Sequence, residues 1–175
     1  MEIDLKFKHE FNPETFRHLQ NGKTTVMHCH HYASLFSQLA EDASDLFDGT
    51  SMLYAAAEES FYSALNKYFE EKNIQETSDR VQIAEKYWTY VGMGKLAITE
   101  YSPDSGISEM PFSHIDEAWI KKFGKHDKAI NFITSGYLAA AFASIYDLPI
   151  GSFDVSETES IITGSEKSKF CIVKK

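Results

Sequence analysis

What most limits the fold of this chain is the order of features in its last quarter. Ile133 to Phe142 is a helix-like run of small and apolar residues with Gly136 inside it. A turn signal follows at Asp147-Leu148-Pro149, and segments near 151–157, 159–163 and 168–173 read as three short strands. A glycine inside such a helix lets another element approach its backbone closely. The helix is therefore expected to lie against a second helix or against the sheet formed by the closing strands.

Upstream the signals are mostly helical. Ile3, Leu5 and Phe7 alternate with charged neighbours as a short strand. Asn12-Pro13-Glu14 has the cap, the first-turn proline and the acid of a helix start, and Asn21-Gly22 has the form of its end, so a helix over 12–21 is predicted. Lys23 to His28 reads as extended. From Tyr32 the period becomes 3.6: Tyr32, Leu35, Phe36, Leu39, Ala40, Ala43, Leu46 and Phe47 share one helix face, and Asp48-Gly49 ends it. Thr50 or Ser51 caps a second helix with Leu53, Ala56, Phe61, Ala64, Leu65, Tyr68 and Phe69 at its apolar positions. Ser78-Asp79 opens a third, with Val81, Ala84, Tyr87, Trp88 and Val91 on one face.

Gly92-Met93-Gly94 leads into a strand over 95–100, a turn at 102–106 and a hairpin partner over 107–112. Ser113 caps a short helix that ends at Gly124, and the last helix is predicted from Asp127. Helices first and strands later argue an α+β fold. A chain of 175 residues is most simply one domain, 1–175, large enough to bury roughly 70% of its unfolded surface without disulfides or metals.

Composition narrows the function. The net charge of -9 and the absence of a basic patch exclude nucleic acid as a partner, since Lys121, Lys122, Lys125 and Lys128 are offset by Asp116, Glu117 and Asp127. The longest aliphatic run, Leu138 to Ala143, is far short of the roughly 20 residues of a membrane span. The first residues lack a signal-peptide layout, and Cys29 and Cys171 make no disulfide framework. A cytoplasmic location is expected. The 13 Phe and 9 Tyr fill a core, but aromatic side chains also line pockets for flat apolar ligands.

The C-terminal pattern resembles the 4-vinyl reductase, or hydrocarbon-binding, domain family. The carrying residues are Gly92-Met93-Gly94 before a strand, Ser113-His114 opening a helix, Gly136-Tyr137 in the last helix, and Glu157, Gly164 and Phe170 in the closing strands. The resemblance implies a helical layer packed on a twisted antiparallel sheet, related in shape to TRAPP-type trafficking subunits. It also implies an apolar cavity between the layers, a small apolar or aromatic ligand, and a helix-mediated homodimer. Cavity residues would be Phe36, Tyr87, Trp88, Phe132 and Tyr137. Where the family places zinc-binding cysteines this chain has Ser160 and Ser168, so that cysteine zinc site is expected to be lost. Strand alternation turns Cys171 away from Ser168, and it reads as a core thiol.

His28-Cys29-His30-His31 is the other unusual run. Imidazole and thiolate suit zinc, iron or haem, and a helix N-terminus favours neutral His and ionised Cys. Neighbouring residues cannot all reach one ion, so a further ligand such as His114, Glu58, Glu59 or Glu157 would be needed. The plainer reading makes one His a cap, one a surface residue, and buries Cys29. Glu58-Glu59 otherwise reads as a solvated helix face. Ser160 and Ser168 lack a nucleophile context, and Gly92-x-Gly94 precedes rather than follows its strand, so neither points to catalysis. Three readings follow: a small-molecule-binding domain; a metalloprotein or small metal-dependent enzyme centred on His28 to His31; or a protein-interaction subunit.

Overall fold

The computed structural model describes Leu5, residues 8–26 and residues 29–175. Most of the Ile3–Phe7 strand expectation, and His28, lie outside these residues. The chain opens with an antiparallel meander, β1 (His9–Asn12), β2 (Arg17–Gln20) and β3 (Lys23–Thr25). This corrects the predicted 12–21 helix. The Asn12 side chain spends its cap chemistry on a turn, accepting from the Glu14 and Thr15 N–H groups at 2.9 and 3.1 Å. Asn21 and Gly22 both take positive φ, +49° and +77°, which suits a two-residue hairpin turn better than a helix end.

Three helices follow: α1 (His30–Asp42), α2 (Gly49–Lys72) and α3 (Thr77–Tyr90). α1 forms where the 3.6 period predicts, but it buries Ala33, Ser34, Ser37 and Ala40 and leaves Tyr32, Leu35, Phe36 and Leu39 of the expected apolar face exposed, and it ends before Leu46 and Phe47, which are exposed too. The cap of α2 is Asp48, accepting from the Ser51 N–H at 3.0 Å, rather than Thr50 or Ser51. Next come β4 (Gly94–Tyr101), β5 (Ser105–Ser113), α4 (His114–Phe123), α5 (Phe132–Ile145), β6 (Phe153–Glu159) and β7 (Ser168–Lys174). Ser113 caps α4 as expected. The last helix starts at Phe132, not Asp127, and 160–164 is a turn closed by Gly164 N–H to Ile161 C=O at 3.0 Å, so two closing strands form instead of three.

β4 to β7 make an antiparallel sheet in the order β4-β5-β7-β6. The architecture is α+β, with helices gathered against this sheet. Helix α5 is buried from Thr134 to Ile145 and lies between α2 and the sheet. Gly136 makes that packing possible: a Cβ there would sit 2.3 Å from the Tyr54 carbonyl oxygen of α2. Phe142, Phe153, Phe170 and Ile172 fill the sheet side, while Leu65, Phe69 and Trp88 fill the helix side. A second core of Ala33, Ile115, Trp119, Ile130 and Ile162 holds α1 against α4. Buried Arg80 joins α3 to the end of α5, donating to the Ser144 and Ile145 carbonyls, both at 3.1 Å, and pairing with Asp147 at 2.7 Å.

Candidate functional site

A cavity of about 450 Å³ lies between the N-terminal meander and helices α2 and α3. The α2 wall is one helix face, Ala64, Lys67, Tyr68, Glu71 and Lys72, at i, i+3, i+4, i+7 and i+8. α3 contributes Tyr87, and Val91, the residue that caps its C-terminus, adjoins it. The opposite wall is the second hairpin of the meander: Gln20, Asn21, Lys23, Thr24 and Thr25. Behind Tyr87 stands an aromatic cluster. Tyr87 is stacked at 6.4 Å on Tyr137, which packs at 4.4 Å on Trp88, and the Phe61 ring meets all three edge-on. The Tyr137 hydroxyl donates to the Ala84 carbonyl at 2.5 Å, while the Trp88 indole N–H has no partner among the described residues. Burial raises the Tyr68 and Tyr87 phenols above their ordinary value, so both stay neutral hydrogen-bond donors near neutral pH.

A second polar centre is sealed where α4, the start of α5 and the closing strands meet. Asp116 is fully buried; its carboxylate accepts from Asn131 Nδ2 at 3.1 Å and from the Ser168 hydroxyl at 2.9 Å. Asn131 Nδ2 also reaches the Ser113 hydroxyl at 3.1 Å, and the Asn131 backbone N–H reaches Glu157 Oε2 at 3.3 Å. Glu157 is pushed up to about 7, first by burial and then by the Asp116 charge. Burial raises Asp116 too, against the hydrogen bonds from Ser168, Ser113 and Asn131 that favour its ionised form. The Ser160 and Ser168 hydroxyls counter the rise at Glu157 by favouring its carboxylate, while Glu157 Oε1 and the buried Ser160 hydroxyl have no hydrogen-bond partner among the described residues.

This oxygen-only centre occupies the place where the resemblance would put zinc-binding thiolates, and it does not suit zinc. The Ser168 hydroxyl is already engaged, donating to Asp116 and accepting from the Ile161 N–H at 3.1 Å. Among the described residues no group of three or more His, Cys, Asp and Glu is placed to hold a metal ion.

Of the five predicted pocket residues, the structure brings Tyr87, Trp88 and Tyr137 together, and only Tyr87 lines the cavity. Phe36 stands exposed on α1, and Phe132 packs against the second core. Of the predicted metal run, Cys29 precedes α1 and His30 and His31 begin it; Cys29 and His31 are exposed, and His28 lies outside the described residues. Glu58 is no solvated residue: it is buried and accepts from the Gly151 N–H at 2.8 Å. Cys171 is half-buried on the sheet face opposite Ser168, Phe170 and Ile172, so it is not a core thiol. Tyr68 is legible in the sequence only as an apolar position of its helix, Lys67 and Lys72 are not singled out at all, and Asp116 and Asn131 carry no signal of their own.

No family model matches the sequence, and no curated protein matches it. Solved structures do match the fold. The phenol-responsive sensory domain of the transcription activator PoxR, solved with phenol, has a TM-score of 0.75 at 9% identity over 95% of this chain and 84% of its own. A vinyl-4-reductase family protein from Methanocaldococcus jannaschii gives 0.57 at 19% identity, covering 86% and 84%. A trafficking protein particle complex subunit 3 from Naegleria fowleri, covalently bound to palmitic acid, gives 0.56 at 8%, covering 83% and 94%. The fold is the one these three proteins share. At such identities the likeness speaks for architecture alone. No helix among the described residues is long and apolar enough to cross a membrane.

Proposed function

We propose that this chain is a sensory-type domain that binds a small aromatic molecule in the cavity between the meander and helices α2 and α3. The observation that carries the reading is a 450 Å³ cavity floored by Tyr87, whose ring is braced by the aromatic cluster. That volume falls within the roughly 300–1,000 Å³ of small-molecule pockets. The shared fold with a phenol-responsive sensory domain supports the class. Binding would draw on ring burial against Tyr87 and Tyr68, with neutral phenol hydroxyls orienting the guest. Titration calorimetry with phenol and substituted phenols tests it. Saturable binding that weakens about tenfold or more in Tyr87→Ala is expected; unchanged binding in that variant would move the site elsewhere.

A homodimer through α1 is part of the same reading. Tyr32, Leu35, Phe36 and Leu39 follow one helix stripe, and each keeps a third or more of its surface exposed. Light scattering should give a dimer that Phe36→Glu with Leu39→Glu converts to a monomer. A wild-type monomer at tens of micromolar would remove the dimer.

A further inference from the structure

The cavity is not the oily hollow that the sequence leads one to expect. Among the described residues that line it, eight of twelve are polar, and the other four are Tyr68, Tyr87, Ala64 and Val91. A wholly apolar guest would strip water from those polar groups without replacing their hydrogen bonds, a cost that opposes binding. The amides, hydroxyls and neutral phenols of this lining can donate or accept, whereas its three lysine ammoniums only donate and face one acceptor-only group, Glu71.

Charge points the same way. The chain as a whole carries -9, yet the described residues lining this cavity include three lysines and a single acid. Lys67 and Glu71 pair with each other at 3.4 Å. Lys23 and Lys72 have no ion pair with another described residue, and they stand on opposite walls of the cavity, one on β3 and the other in the last turn of α2. Lys72 also faces the negative end of its own helix, which is reason enough for a lysine there. Lys23, on a three-residue strand, has no such reason.

We propose that the occupant of this cavity is an aromatic acid, a flat ring bearing one carboxylate, with the ring on Tyr87 and Tyr68 and the carboxylate between Lys23 and Lys72. This rests on the reading of the cavity as the ligand site and names the class of ligand it takes. Desolvating one carboxylate beside two ammoniums is offset by their attraction, which added salt weakens.

The probes are 4-hydroxybenzoate and its uncharged isostere 4-hydroxybenzamide, with phenol alongside, titrated by calorimetry at 50 and 500 mM NaCl. At low salt the acid should bind about tenfold tighter than the amide, and the gap should narrow at high salt. Lys23→Gln with Lys72→Gln should bring the acid to the level of the amide, with a far smaller change for the amide than for the acid. Both side chains are exposed, so the variant should keep its urea midpoint. Equal affinity of acid and amide, or a gap that survives in the double variant, overturns the anion while the cavity stands as a site for neutral aromatics. Failure of the acid, the amide and phenol alike to bind would overturn the cavity reading together with this one.

Discussion

Replacing Glu157 by Gln should stabilise the protein in alkali and do little in acid. The carboxyl group is pushed from an ordinary value of 4.5 to about 7 in the folded chain, by burial first and by the Asp116 charge second. A raised value means that the folded state holds the proton more tightly than the unfolded one. The stabilising contribution is therefore complete below 4.5 and disappears as pH rises through about 7. A shift of about 2.5 units corresponds to about 3 kcal/mol lost by pH 8, against about 1 kcal/mol at pH 5. Gln keeps an oxygen for the Asn131 N–H and carries no charge at either pH. Urea denaturation at pH 5 and pH 8 measures the difference. With a denaturant dependence of about 2 kcal/mol per M, the Glu157→Gln advantage should grow by roughly 1 M in midpoint between the two pH values. An advantage that is the same at both, or that shrinks towards pH 8, would refute the assignment of the proton to Glu157.

Three further outcomes follow from the packing and the sequence. Gly136→Ala should destabilise by about 1–3 kcal/mol despite the better helix propensity of Ala, because its methyl meets the α2 backbone; a urea midpoint at or above wild type would contradict that contact. Arg80→Met should cost about 3 kcal/mol by leaving the Ser144 and Ile145 carbonyls without their buried partner, whereas Asp147→Asn, which suits the positive φ there, should cost under about 1 kcal/mol because the Asp147 side chain is largely in water; equal losses would contradict the ranking. The metal or haem expected from His28, Cys29, His30 and His31 is tested by elemental analysis and an absorption spectrum: a stoichiometric metal that disappears in His30→Ala with His31→Ala establishes it, and less than about a tenth of an equivalent removes it.

The sheet and the central helix were readable because their signals are local and redundant. Gly92-Met93-Gly94 opens β4, the 102–106 cluster turns β4 into β5, and Ser113 caps α4, each through a residue whose chemistry leaves few alternatives. The meander escapes the sequence because Asn-Pro-Glu serves a helix start and a tight turn equally well, and the choice is made by the antiparallel pairing of His9–Asn12 with Arg17–Gln20 across that turn, which no single residue announces. The cavity was only partly visible for a related reason. Tyr87 announced itself as an aromatic at a helix face, but Lys23 and Lys72 lie on either side of α1 and most of α2 in the sequence and share a cavity only in three dimensions. Asp116 looked like one charge among several in 116–128, and nothing local to it signals burial against Asn131 and Ser168. Phe36 and Phe132 were assigned to the pocket as aromatics, yet the α1 stripe turns Phe36 outward and Phe132 is drawn into the smaller core.

Serines at 160 and 168 change what the closing seam of the fold responds to. A thiol pair in that position would answer to peroxide and to chelators, whereas hydroxyls give an oxidant nothing to attack. What remains to be titrated there is a proton on an acid tied to the first residue before α5. The junction of helix and strand is thereby made indifferent to redox state and sensitive to acidity.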